Sequence, residues 1–424
     1  MKQGSRMGSR KQGAWLEGGL QQEVEIPGGK LLVKPRAELL ELVMTSGAQV
    51  MAAMLLQDVE ALCGGSHHRH RDGTASRWGW TGGEVVMGGR KLAIRRPRVR
   101  QGKQERSLPC YERWQVQDPL RQRVLEQVLV GVSNRHYQRS LEAAPAATKS
   151  RGISRSAVNR QFVALTMEKL TAWLNRPLTD EYLALFIDGI GLGEHTIIAA
   201  VGVTSTGCKQ VLGAWEGATE NAVVCQMLLD NLRERGFKTD QQLLVVLDGA
   251  KALRKAVQDT FGERAVVQRC QEHKKRNVKS QVPKGMQTST GMAMQQAFNC
   301  GDYARAKQLL NNLAQRLDRD CPGAAASLRE GLEETLTVLR LELPRTLRQS
   351  LGTTNIIESA IDTVKKVPRR VKHWKGGTMA LRWAVTGLGE AERQFKRLRG
   401  YRELAILSQK LGRNQAGDTT VKVA

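Results

Sequence analysis

The chain has 424 residues, about three units at ordinary domain sizes, and its 66 Lys and Arg outweigh 41 Asp and Glu to leave a net charge of +25. That charge points to a polyanionic partner (DNA, RNA or an anionic membrane surface), while a hydrophobic fraction of 41% excludes a wholly disordered basic protein. The apolar runs Leu183 to Ile187 and Leu243 to Leu247 are strand-sized, far below the roughly 18 residues of a bilayer span, so no membrane partner is expected. Basic Met1 to Arg10 is not followed by an apolar stretch, so no secretory signal is expected, and seven cysteines without a CxxC pair point to a reducing cytosol.

In chain order, residues 1–30 are rich in Gly, Gln and Lys and read as a disordered basic tail. Leu39, Leu40, Val43, Val50, Met54, Leu55 and Leu62 recur with helical periodicity over 36–63. Trp78 to Arg100 is strand-like, punctuated by Gly82-Gly83 and Gly88-Gly89. From Arg90 to Arg106 it carries eight basic residues against one acid, Glu105, which fits a solvated edge strand or, in so basic a chain, a phosphate-contacting surface that includes Arg95 and Arg98. Residues 119–175 read as short helices joined by tight turns. Ser154 can cap a helix over Arg155 to Phe162, whose exposed Arg155 and Asn159 fit the recognition helix of a helix-turn-helix as well as they fit any small bundle.

Strands are expected over Tyr182–Ile187, His195–Val203 and Lys209–Trp215, forming an antiparallel meander, then a helix from about Glu220 to Arg235. A fourth strand at Leu243–Leu247, a helix over Ala250–Thr260 and a fifth strand at Arg264–Val267 complete a mixed α/β sheet in which strand four lies parallel to strand one. Residues 284–350 are helical in pattern throughout, and Met379 to Leu411 forms a basic helical tail. The expected segments are 1–30, 31–118 (a mainly helical region with the basic strand), 119–180, 181–283 (first part of the core), 284–350 (a helical insertion), 351–411 (last part of the core) and 412–424.

Two of the expected strands end in Asp-Gly pairs, Asp188-Gly189 and Asp248-Gly249. Acids at the ends of adjacent strands can hold a divalent cation through hard oxygen ligands, although Asp-Gly is also an ordinary turn. The third acid is Glu358, three residues after the expected N-cap Asn355, a spacing that a capping box explains equally well; Glu220 is its rival. Cys270 and His273, at i and i+3, are half of a zinc template without the complementary half, which favours packing or a hydrogen bond near Asp248. Cys63 with His67, His68 and His70 matches no structural zinc spacing and reads as a polar loop.

Leu185-Phe-Ile-Asp188-Gly189, Val245-Val-Leu-Asp248-Gly-Ala250, Val267-Gln-Arg-Cys270-Gln-Glu-His273 and Thr353-Thr-Asn355-Ile-Ile-Glu358 together resemble the acid motifs and Cys-x2-His of the Mutator-type bacterial insertion-sequence transposases. Lys365 stands where that family has a basic residue, and Ile356 stands where such motifs often have Pro. The likeness runs over about residues 40–405. It implies a multidomain protein with a ribonuclease-H-like (retroviral-integrase-like) core interrupted by a helical insertion and preceded by DNA-binding regions. It implies a DDE recombinase in which Asp188, Asp248 and Glu358 bind two Mg²⁺, with Mn²⁺ as a substitute. The implied partners are double-stranded DNA at the element ends and target and further copies of the chain, in a bacterial, nucleoid-associated setting. The competing classes are another ribonuclease-H-like nuclease, which would not need the long insertion, and a DNA-binding regulator with a dead core, against which all three acids speak.

Overall fold

The computed structural model describes residues 22–26, 29–33, 39–65, 75–142, 149–217 and 222–413. The chain divides into two units, Met1–Val128 with Val132–Phe162 and Leu129–Gly131 with Val163–Ala424.

In the first unit, β1 (Gln22–Ile26) and β2 (Gly29–Val33) pair antiparallel ahead of helix α1 (Leu39–Cys63). Then β3 (Ala75–Met87) and β4 (Arg90–Gln101) form one long hairpin, extended by β5 (Gln104–Arg106). The two-residue turn works because Gly88 and Gly89 both take positive φ (61° and 78°), and because the buried Asp118 carboxylate accepts both of their N–H groups, at 2.8 and 2.6 Å. Val85, Met87, Leu92 and Val99 pack on Met44, Met51, Leu55 and Val59 of α1 and on Tyr111 and Trp114 of α2 (Pro109–Val116). By length and composition Leu42–Cys63 of α1 could cross a bilayer, a stretch that the search for continuous apolar runs passed over because polar residues interrupt it. Its inner face is spent on the hairpin.

In place of the tight helix-turn-helix expected over 119–175, α3 (Gln122–Leu129) is followed by a 3-10 turn at Tyr137–Ser140 and by β6 (Ser150–Gly152), which pairs with β4. Only then does α4 (Arg155–Leu174) begin. It also runs past the expected end at Phe162, because Leu165, Leu170 and Trp173 continue its buried stripe.

The second unit is built on β7 (Tyr182–Leu192), β8 (His195–Thr204) and β9 (Lys209–Gly217), an antiparallel meander, with α5 (Ala222–Glu234), β10 (Leu243–Leu247), α6 (Lys251–Phe261) and β11 (Ala265–Arg269) after it. The sheet order is β11-β10-β7-β8-β9, with β10 parallel to both β7 and β11. Alternate residues feed two cores. Leu185, Ile187, Val245 and Leu247 meet α5 and α6, while Ala184, Phe186, Ile190, Leu244 and Val246 meet the helices that follow.

Those helices are α7 (Gln271–Ser280), α8 (Lys284–Asn299), α9 (Tyr303–Asp320), α10 (Pro322–Arg329), α11 (Leu332–Thr335), α12 (Thr337–Arg340), α13 (Arg345–Leu351), α14 (Asn355–Lys366), α15 (Gly377–Arg393) and α16 (Leu404–Lys410). The helical stretch is tied to β11 and α7 by a buried polar seam. Gln268 donates to the Thr335 carbonyl at 2.8 Å and accepts from Val338 N–H at 2.9 Å, and the Thr337 hydroxyl donates to the Val267 carbonyl at 2.6 Å. A buried amide with both ends satisfied fixes one register where apolar packing alone would tolerate several.

Candidate active site

β7 does not stop at Asp188, as the Asp-Gly pair suggests; it continues to Leu192, and Asp188 pairs with Ala199 of β8. What stops there is the parallel ladder. Ile187 and Leu247 are the last partners of β7 and β10, so Asp188 and Asp248 each follow the final pair on neighbouring strands. Strand alternation puts Asp188 on the Phe186 and Ile190 side of the sheet, the side that α14 covers. Its carboxylate accepts Gly189 N–H at 2.8 Å, while the Asp248 carboxylate accepts Ala250 N–H at 2.8 Å ahead of α6.

Asp188 is buried, and burial pushes its carboxyl up to about 6; the Gly189 N–H pulls it back, while the charges of Asp248 and Glu358 push it up and His273 pulls it down. Glu358 therefore belongs to the same electrostatic neighbourhood as the two strand acids. It lies in the first turn of α14, but the N-cap is Thr354 rather than the expected Asn355, and the capping box does not form. Instead the Thr354 hydroxyl donates to Glu358 Oε1 at 2.8 Å.

Cys270 and His273 meet the same residue. Cys270 is fully buried as the N-cap of α7, and its Sγ accepts from Thr354 N at 3.3 Å, Thr354 Oγ1 at 3.2 Å and His273 N at 3.5 Å. His273 Nδ1 stands 3.6 Å from Glu358 Oε1 and 3.3 Å from Thr354 Oγ1. Burial raises the Cys270 thiol, but the hydrogen bonds from His273 and Thr354 outweigh it and leave the thiol below its usual range; the neighbouring Cys270 holds His273 up to about 9 against its own burial. Cys270, His273 and Glu358 bring their ligand atoms within 4.8 Å of one another, the one such cluster of three among the described residues. Its sulfur is already an acceptor for three donors, the geometry of an orienting contact.

Sequence reasoning missed Thr354, Arg269 and Lys274. Arg269 donates to the Gly249 carbonyl at 2.8 Å and to the Glu330 carbonyl at 3.1 Å, joining the Asp248 loop to the insertion. Lys274 is buried with its ammonium on the carbonyls of Ser327 and Glu330, both at 2.7 Å, at the C-terminal end of α10, where a cation complements the helix dipole. Burial pulls its pKa down to about 8. No motif flags these residues, because their partners lie far along the chain. Glu220 and His67, His68 and His70 lie outside the described residues.

A family model, the Mutator family of transposases, matches residues 34–398. The chain belongs to the Mutator family of transposases. Its relatives are insertion-sequence transposases. It is 25% identical to the transposase for insertion sequence element ISRM3 of Rhizobium meliloti (strain 1021), over 80% of this chain and 83% of the relative. Identity is 27% to the transposase for insertion sequence element IS905 of Lactococcus lactis subsp. lactis (68% and 72%), and 26% to that for IS256 in transposon Tn4001 of Staphylococcus aureus (69% and 74%). A Mutator-family transposase acts on DNA, and the basic residues singled out above can be placed with that in mind. Arg155 and Asn159 are exposed on the first turns of α4, where the Ser154 hydroxyl accepts Ala157 N–H at 3.3 Å. Arg95 is exposed on β4, whereas Arg98 is held by Glu105 at 2.6 Å. Lys365 is exposed near the end of α14.

Proposed function

We propose that this transposase cuts and joins DNA by DDE chemistry on a ribonuclease-H-like core, with Asp188, Asp248 and Glu358 as ligands for two Mg²⁺, or Mn²⁺ in their place. The sheet order, three antiparallel strands flanked by two parallel ones, supports the fold assignment. The observation that carries the chemistry is the register that sets Asp188 and Asp248 directly after one parallel pair, on the edge that α14 covers with Glu358.

The donor set fits a hard divalent cation. Three carboxylates are crowded at a buried edge, and the raised Asp188 shows the like-charge repulsion that such a cation relieves. Bound Mg²⁺ would supply Lewis-acid activation of the attacking oxygen and charge stabilisation at the scissile phosphate. The protein's part is orientation. Thr354 holds one Glu358 oxygen, Cys270 holds Thr354 through its N–H and hydroxyl, and Arg269 fixes the loop after Asp248. An assembly of two or more copies on the element ends, in the bacterial nucleoid, belongs to the same proposal.

Asp188→Ala, Asp248→Ala and Glu358→Ala are each expected to take cleavage of an end-containing plasmid in Mg²⁺ below detection while end binding persists. Near-wild-type cleavage by any of them removes that residue from the site.

A further inference from the structure

The hairpin of the first unit exposes two tryptophans that no part of the catalytic chemistry uses. Trp78 is 49% and Trp80 47% exposed, on a strand whose other end is buried. Leaving two indole rings in water forgoes the burial that such side chains normally provide, so their position calls for a partner. Gly79 between them sits at φ +75°, and the pairing with β4 shifts register between Arg77 and Trp80. This bulge lets both rings reach the surface, where strict alternation would not require it.

Each ring carries a guanidinium. Arg100 lies 4.3 Å above the Trp78 ring centre and Arg95 5.5 Å from that of Trp80. Glu105 takes up Arg96 and Arg98, and Glu84 takes up Lys91 and Arg151, while among the described residues no carboxylate pairs with Arg95 or Arg100. The surface thus combines half-open π faces with two uncompensated cations. We infer that Trp78 and Trp80, flanked by Arg95 and Arg100, form a stacking platform for unpaired DNA, an inference that rests on the family's action on DNA but not on the acid triad. A closed duplex offers no free base face to an indole, and its grooves are read through hydrogen-bonding edges. An unpaired strand offers both base faces and phosphates, and aromatic-plus-arginine grooves bind it without sequence preference. Two residues of strand span roughly 6.6 Å, close to two base steps of about 3.4 Å each, so adjacent bases suit adjacent rings. Strands become unpaired at element ends once they are cut, which gives the platform an occupant during the family's reaction.

The test uses the full chain and two fluorescent probes, a 12-nucleotide oligothymidine and a 12-base-pair duplex, followed by anisotropy at 150 mM salt. Trp78→Ala and Trp80→Ala should each weaken oligothymidine binding about tenfold, with duplex binding changed less than twofold. Trp→Phe should keep most of the binding and Trp→Leu should not, since leucine covers the same surface without a π face; thermal melting of all variants should match the wild type. Unchanged oligothymidine binding, or equal loss on both probes, overturns the platform. So does an oligoribonucleotide that outcompetes the DNA strand with the same tryptophan dependence. A switch from dimer to monomer with oligothymidine binding intact would assign the rings to a second copy instead. Wild type that binds duplex but not oligothymidine sinks the platform and spares the DNA cleavage proposal, and Asp188→Ala that loses cleavage but keeps oligothymidine binding separates the two from the other side.

Discussion

The five-stranded sheet of the second unit and the hairpin of the first are both rich in β-forming residues, yet they treat their faces in opposite ways. β7 is buried from Tyr182 to Asp188 and β10 along its whole length, with apolar side chains entering both layers. In β3, Ser76 to Trp80 are exposed and only Val85 to Met87 are buried. A sheet covered on both sides has only its strand ends left for chemistry, and there the acids stand; a sheet with an open face can use that face as a surface. One sheet spends its face on stability, the other keeps it for a ligand.

The most direct way to break this contrast is to truncate one aromatic in each. Phe186 is fully buried in the central sheet, and Phe186→Ala should cost about 3–5 kcal/mol. Trp80→Ala, on the open face, should cost less than about 1 kcal/mol. Urea unfolding followed by circular dichroism on the full chain measures both. Equal losses would mean that the hairpin face is covered after all.

The central sheet was the legible part of the sequence because its strands are short continuous apolar runs bounded by Gly, and Leu243–Leu247 coincides with its observed strand to the residue. Where local pattern was ambiguous, tertiary pairing overruled it. Gly189 and Gly191 suggested a turn, but β8 pairs straight through them, so Asp188 lies inside a strand. Gly79, Gly82 and Gly83 suggested short pieces in what is one long hairpin. At the site, the acids could be read from position, whereas the tie from Thr354 to Cys270, His273 and Glu358 could not, since a threonine before a helix looks like a cap and nothing local says that its hydroxyl faces a glutamate. The seam through Gln268 and Lys274 was illegible for the same reason: buried polar residues show in the sequence only as interruptions of an apolar pattern.

The basic residues sharpen the contrast at a smaller scale. Arg155 and Asn159 present hydrogen-bonding groups from a helix start and should read base edges, so Arg155→Ala or Asn159→Ala should cost about 1–3 kcal/mol on the element's own end and much less on random duplex. Arg95 on the hairpin should meet phosphates, and Arg95→Ala should weaken specific and random duplex binding alike and lower the salt dependence by roughly one ion. Arg98→Ala should do the same more weakly, because Glu105 already holds that guanidinium. Binding isotherms at three salt concentrations decide. Sequence-selective loss from Arg95→Ala would move base reading onto the hairpin.

The smallest effect concerns Lys365, which returns to the edge of the central sheet. It lies on α14 seven residues after Glu358, exposed, with no carboxylate partner among the described residues, while Ile357, Ala360, Ile361 and Val364 bury the other face. Two roles suit such a lysine. As a cation in the last turn of α14 it complements the helix dipole, worth typically 0.3–1 kcal/mol of stability. As a phosphate contact it would hold DNA beside the acids, and losing one such contact costs about 1 kcal/mol, several-fold in cleavage at limiting DNA. Salt separates them, since a phosphate contact fades as counterions compete while the fold barely changes. Lys365→Ala is therefore expected to lower cleavage several-fold at low salt, to approach the wild-type rate relative to its own binding at high salt, and to melt within a few degrees of the wild type. A variant that melts early yet cuts normally below its melting point would give Lys365 to the helix alone, leaving the approach to the acids to other cations of the second unit.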